Sequence, residues 1–170
     1  MPEPPKKPNS PNVYNSPNRQ QEKQQLHTST DKTVQSTEQT LEITQKIVKT
    51  ITGLESLKTY PIRDLVKHAE DFGPYLKQQR LETNQVRKFL DAVNQMKVTL
   101  AQTNDFSKIE IEVVLLKPKL AYAAARQKAA KPMSEVMSAA IDKVRSTEDF
   151  ERLVQLIESI IAYHKAEGGK

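Results

Sequence analysis

Apolar residues recur every three or four positions through most of this 170-residue chain, a spacing typical of amphipathic α-helices. The chain has only four glycines, and its apolar pattern is helical rather than strand-like. The successive apolar stripes predict helices over 37–58, from Pro61 to Gly73-Pro74 or toward Arg80, from Thr83 to Leu100, from Asp105 to Leu120, from Pro132 to Val144, and from Ser146 to the terminal glycines. We therefore expect an all-α fold, a single small helical bundle of about five to six helices.

Two proline positions within these stripes suggest interruptions. Gly73-Pro74 is a pair that normally ends or kinks a helix, and Pro118 lies inside the stripe that follows Asp105. We expect an end or a kink near the first pair, and a kink or a very short break at Pro118. Ser146 and Asp149 have the spacing of a capping box, which predicts where the last helix begins.

The first part of the chain has a different composition from the rest. Six of the ten prolines fall within residues 1–17, between Asn, Ser, Gln and Lys, and apolar residues are nearly absent before Val34. Such a segment cannot bury enough surface to offset its conformational entropy, so residues 1–35 are expected to form a disordered tail. We assign 36–58 to an extra helix or a linker and 59–168 to the helical-bundle domain.

Several classes of protein are excluded by what the sequence lacks. The absence of cysteine excludes a disulfide scaffold, a thiolate zinc site and a cysteine nucleophile. No apolar run approaches about 18 residues, and no apolar segment follows the first basic residues as in a secretory signal. We expect a soluble, cytoplasmic protein without a membrane partner.

The residues that could support catalysis are few. Among the three histidines, only His68 has nearby carboxylates at helical spacing, Asp64 and Asp71, and we interpret this group as a solvated helix face. A glycine-rich phosphate loop is ruled out by the small number of glycines. We predict no catalytic residues, no metal site, no cofactor and no small-molecule substrate.

The positive charge of the chain is concentrated in its middle. The net charge is +5, and residues 80–131 carry ten basic and five acidic side chains, whereas residues 132–170 carry five basic and seven acidic ones. This asymmetry indicates an anionic partner or head-to-tail self-association.

The most informative part of the basic region is a ridge on one predicted helix. No acidic residue occurs between Val113 and Ser134. Lys119, Tyr122 and Arg126 are spaced i, i+3 and i+7, which puts an aromatic ring between two cations on the same side of a helix. This combination suits RNA, since cations bind phosphates and an aromatic ring can stack on a base.

Other basic residues extend this candidate surface. Lys117, Lys128 and Lys131 fall on the opposite side of the same helix, and Arg87 and Lys88 lie on the preceding helix. Spacing alone leaves a second interpretation open, in which Tyr122 is a core residue and the lysines are merely solvated.

Three segments resemble the small subunit of the type III-A CRISPR effector, the Csm complex. The segments are Thr83–Phe89 (TNQVRKF), Leu115–Arg126 (LLKPKLAYAAAR), and the last helix from Asp149-Phe150-Glu151 through Glu158 to Ala162–Lys165. Their order and spacing also agree with that family, and the middle segment is the most specific. The resemblance covers roughly residues 61–166, and the N-terminal region departs from it because family members commonly begin close to the Pro61 helix.

The resemblance implies a non-catalytic all-α subunit. Several copies would stack along the guide–target RNA duplex, in contact with the guide RNA, the target RNA, and the backbone and large subunits of the complex. Carried over to this sequence, it makes RNA-contact candidates of Arg87, Lys88, Lys117, Lys119 and Arg126, with Tyr122 between two of them and Lys128 and Lys131 as neighbours. The alternative hypothesis is a helical protein–protein interaction scaffold, whose basic ridge meets an acidic protein partner.

Overall fold

A computed structural model describes residues 1–3 and 42–168, and residues 42–168 belong to one compact unit, Gln39–Lys170. Within these described residues there are six α-helices and no strand. The helices are α1 (42–52), α2 (Ile62–Gln78), α3 (Thr83–Thr103), α4 (Ser107–Arg126), α5 (Lys131–Ile141) and α6 (Thr147–Ala166). The predicted all-α bundle is confirmed, whereas the predicted tail and residues 36–41 lie outside the described residues apart from the first three.

The helices bury one continuous apolar core, to which every described helix contributes. α2 packs along α6, α4 packs along α5, and α3 packs against α4. The segment before Pro61 is part of this core, because Ile47 and Ile51 of α1 and Leu57 of the following 3-10 turn (Leu57–Thr59) are buried.

Of the two outcomes predicted at Gly73-Pro74, an end at the pair is wrong, and continuation of the helix toward Arg80 is confirmed. The helix continues through the pair to Gln78, and Tyr75 and Leu76 beyond the proline are buried. Burial of these side chains offsets the hydrogen bond that a proline removes from a helix. The helix ends where Arg80 takes a left-handed conformation (φ 61°), which lets the Leu81 N–H donate to the Leu76 carbonyl at 3.0 Å.

The expected break at Pro118 is also absent. α4 is continuous from Ser107 to Arg126, and its buried residues Leu116 and Leu120 lie on both sides of the proline. Tertiary packing therefore holds the turn that contains Pro118 in helical form.

The start of α6 is the one that the capping box predicts. Ser146 is the N-cap, and its hydroxyl accepts a hydrogen bond from the Asp149 N–H at 3.3 Å. The Asp149 carboxylate does not return to the backbone of Ser146. It accepts from the N–H groups of Arg145 and Lys58 and from the Ser56 hydroxyl, and so ties the turn before α2 to the start of α6.

Candidate nucleic-acid interface

A groove of about 590 Å³ opens between the first half of α3 and the second half of α4. The two helices are joined by a short connection in which Asn104 adopts a left-handed conformation (φ 49°) and ends α3. The smallest side chains that line the groove are Ala92 of α3 and Ala123 of α4. The apolar floor of the groove is Phe89, Ala92, Leu116, Leu120 and Ala123.

The sides of the groove are polar and mostly positive. Three cations line it, Lys88 from α3 and Lys119 and Arg126 from α4, and Glu82 is the acidic residue among the lining side chains. Asn84, Tyr122 and Gln127 complete the polar lining. The N-terminus of α3 borders the groove at Glu82 and Asn84, and no side-chain hydrogen bond caps this helix. Cations and free helix N–H groups together favour an anionic ligand.

The predicted ridge of Lys119, Tyr122 and Arg126 forms one edge of this groove. All three side chains are exposed, and Tyr122 has 65% of its surface open to solvent. The guanidinium carbon of Arg126 lies 5.8 Å from the centre of the Tyr122 ring, a cation–π distance. The interpretation of Tyr122 as a core residue is therefore excluded.

Of the other predicted residues, Lys88 lines the groove and the remaining four do not. Arg87 is exposed on α3 next to Lys88. Lys117 extends toward α5, where its ammonium group lies 2.5 Å from the Asp142 carboxylate. Beyond the end of α4, Lys128 is exposed in a 3-10 turn, and Lys131 lies 3.9 Å from Glu135. The structure thus collects Lys88, Lys119, Tyr122 and Arg126 and leaves the remaining four apart.

A second exposed feature lies in the first half of α4. Ile111, Val114 and Leu115 are 72%, 50% and 49% exposed and lie next to one another on the outer side of the helix. We call these three residues the apolar stripe. Apolar side chains grouped in this way on a surface are typical of a protein contact.

The prediction of a solvated helix face is wrong for His68, although Asp64 and Asp71 are exposed. The His68 ring is buried, and the Tyr60 hydroxyl lies 2.5 Å from its Nδ1. Burial lowers the pKa of His68, with Lys46 adding to the effect and Asp64 opposing it. Burial also raises the pKa of the Tyr60 hydroxyl, so at neutral pH a protonated hydroxyl shares a hydrogen bond with a neutral imidazole.

His164 is a second buried histidine. Its Nε2 donates to the Leu81 carbonyl at 3.1 Å, and burial lowers its pKa. Its partner comes from a segment more than eighty positions away, so spacing within α6 carries no sign of the contact. The same holds for Asp149, whose carboxylate holds the turn near Lys58. Burial works against that carboxylate, but the hydrogen bonds from Ser56 and from the backbone keep its pKa below the usual range.

Within the part of the chain that the structure describes, no group of three or more His, Asp or Glu side chains is placed to hold a metal ion. None of the described helices combines the length and the apolar character that crossing a membrane requires.

Taken together, the fold and the site define a small helical-bundle protein with an open, positively charged groove. The model of the family Csm2 Type III-A matches residues 59–170, which is more than half of the chain. The chain therefore belongs to this family, the structural small subunits of the type III-A CRISPR (Csm) complex. Neither a curated protein nor a solved structure matches it. α1 and the turn that follows it to Lys58 lie outside the matched range.

Proposed function

We propose that this Csm small subunit binds RNA without catalysis, through the groove between α3 and α4. In this proposal several copies stack along the guide–target RNA duplex within the complex. The observation that carries it is the meeting of Lys88 from one helix with Lys119, Tyr122 and Arg126 from the next on the sides of one groove.

The composition of the groove supports binding that does not depend on RNA sequence. Lysine and arginine side chains bind phosphates of any nucleotide, and binding by phosphate neutralisation weakens as salt rises. The cations lie on exposed positions of two helices, where they can follow a backbone. We propose Lys88, Lys119 and Arg126 as the principal phosphate contacts, and Arg87, Lys128 and Lys131 as outer ones.

Lys117 is the weakest candidate for such a contact. Its ammonium group already has the Asp142 carboxylate as a partner on the side toward α5. Binding a phosphate would require this ion pair to open, so we place Lys117 last among the predicted RNA residues.

The apolar stripe supports the stacking of copies. Ile111, Val114 and Leu115 would be covered by a neighbouring copy, while the second half of α4 keeps its cations for RNA. Opposite charges also favour a head-to-tail contact between copies. The net charge of residues 80–131 is +5, whereas residues 132–170 contain more acidic than basic side chains.

The test is reversal of charge at Lys119 and Arg126 in a reconstituted Csm complex. We expect Lys119→Glu with Arg126→Glu to weaken target-RNA binding about tenfold or more, by the same factor for unrelated target sequences. The slope of log affinity against log salt should fall by about 0.7–0.9 for each phosphate that the variant no longer neutralises. Titration of a labelled target RNA at several salt concentrations measures both.

A matched control removes the same charge elsewhere. Arg63 and Lys67 are exposed on α2, and neither lines the groove. The pair Arg63→Glu with Lys67→Glu should leave target binding close to that of the unmodified complex. Normal binding by the Lys119 and Arg126 variant would overturn the assignment of the groove.

The scaffold hypothesis predicts a different result. An acidic protein partner would bind the unmodified chain and be displaced by excess RNA, and the Lys119 and Arg126 variant would fail to bind that partner.

A further inference from the structure

The floor of the groove has a property that phosphate binding does not require. Cations on a flat surface suffice to bind a phosphate backbone, yet here they surround a recess with an apolar floor of Phe89, Leu120, Ala92 and Ala123. An apolar recess with a few polar groups at its edge is the usual form of a site for a flat organic ligand.

The size of the recess suits such a ligand. Its volume of about 590 Å³ falls inside the range of about 300–1,000 Å³ that is common for small-ligand sites. A phosphate group in this space would leave the apolar floor uncovered, whereas a nucleobase would cover it.

Tyr122 supplies the aromatic ring that such a ligand stacks on. Its side chain is 65% exposed at the edge of the groove, with the Arg126 guanidinium beside it. Rings and guanidinium groups placed in this way stack on bases that are not paired, and they do so for any base.

The end of the groove contains an unsatisfied polar atom. Gln127 lines the groove, and within the described part of the chain its buried side-chain oxygen has no hydrogen-bond partner. Buried amide oxygens normally have a hydrogen-bond partner, so a further N–H donor near Gln127 would be favourable. A ligand that carries N–H donors, such as the amino group of a base, would supply the missing partner after a small movement of the amide.

We propose that the groove takes one unpaired nucleobase of a single-stranded RNA segment. The base stacks on Tyr122 above the apolar floor, and Lys88 and Lys119 hold the phosphates on its two sides. This inference rests on the proposed RNA binding and adds to it the chemical class of the ligand, an unstacked nucleotide instead of a duplex backbone alone.

The experiment compares two single-stranded probes of equal length and charge, one of uridine nucleotides and one with abasic ribose at every position. Fluorescence anisotropy at low salt measures the affinity of the full chain for each. We expect the base-containing probe to bind about 5- to 150-fold more tightly, which corresponds to about 1–3 kcal/mol. The difference between probes should disappear in Tyr122→Ala and remain in Tyr122→Phe, which keeps the ring.

The outcomes separate this inference from the proposal on which it rests. Equal affinity for the two probes, with binding that is still weakened in the Lys119→Glu and Arg126→Glu variant, overturns the nucleobase site and leaves the proposed RNA binding intact. A preference for bases that survives Tyr122→Ala also overturns the site. If neither probe binds in a manner that depends on Lys119 and Arg126, the proposed function itself is overturned.

Discussion

The contact between α2 and α6 and the contact between α3 and α4 use small residues in opposite ways. At Gly73 of α2, an added Cβ would lie 2.6 Å from the backbone nitrogen of His164 and 2.6 Å from Cβ of Tyr163. At Ala92 and Ala123, in contrast, the small side chains border a groove of about 590 Å³. A small residue brings two helices together in the first contact and leaves space for a ligand in the second.

The difference extends to the polar residues of the two regions. The α2–α6 side buries its histidines and satisfies them with partners in the chain, Tyr60 for His68 and the Leu81 carbonyl for His164. The α3–α4 side exposes Lys119, Tyr122 and Arg126. One side of the molecule therefore contributes mainly to stability, and the other presents exposed cations and an aromatic ring to the solvent.

The largest effect on stability is expected from a substitution on α4. Two neighbouring leucines there lie on opposite sides of the helix. Leu116 is buried and Leu115 is 49% exposed. Leu116→Ala should lower the free energy of unfolding by about 2–5 kcal/mol, because it leaves a cavity in the core. Leu115→Ala should change it by less than about 0.5 kcal/mol. Urea denaturation followed by circular dichroism measures both, and similar decreases for the two variants would contradict the orientation of α4.

A second pair of substitutions tests the two uses of small residues directly. Gly73→Ala should lower the free energy of unfolding by about 1–3 kcal/mol, since the new methyl group meets backbone atoms of α6. Ala123→Leu should fill the groove, change stability by less than about 0.5 kcal/mol, and weaken RNA binding. Thermal denaturation and RNA titration of both variants show whether stability and binding separate in this way.

Gly53→Ala is the control for the glycine substitution. An added Cβ there would be 3.4 Å from the Lys49 carbonyl oxygen, an ordinary contact, and the backbone does not need a positive φ. This variant should be as stable as the original chain or slightly more stable, since alanine reduces the entropy of the unfolded state. A decrease equal to that of Gly73→Ala would mean that close approach to α6 is not the cause.

The helices could be predicted from the sequence because their apolar spacing is local. Single residues with known preferences at helix N-termini mark two of the starts, Pro132 in the first turn of α5 and Ser146 as the N-cap of α6. Neither α2 at Gly73-Pro74 nor α4 at Pro118 is broken, because local preference is outweighed by the burial of neighbouring side chains such as Leu76 and Leu116.

One part of the candidate site could likewise be predicted from the sequence, and another part could not. The ridge of Lys119, Tyr122 and Arg126 could be predicted, since all three residues lie on one helix at helical spacing. The groove could not, because it depends on where α3 places Phe89 and Lys88 relative to that ridge. The buried state of His68 depends on Tyr60 in a turn outside the helix, and spacing along α2 does not reveal it.

The smallest expected effect is a pH dependence confined to the α2–α6 side. His68 and His164 have folded-state pKa values below the usual 6.5, so the unfolded chain binds more protons than the folded chain as pH falls below about 6.5. Stability should therefore be constant above that pH and decline below it, by at most about 1.4 kcal/mol per histidine for each pH unit. Urea denaturation at pH 7.5, 6.5 and 5.5 measures the decline.

Glutamine at both positions tests the origin of this decline. A glutamine can donate to the Leu81 carbonyl in place of His164 and accept from the Tyr60 hydroxyl in place of His68, but it does not take up a proton. His68→Gln with His164→Gln should make stability nearly independent of pH between 7.5 and 5.5. No histidine lines the groove, so RNA binding at a pH where the chain stays folded should be the same in both proteins. A decline that persists in the double variant would place the titrating groups outside the α2–α6 contact.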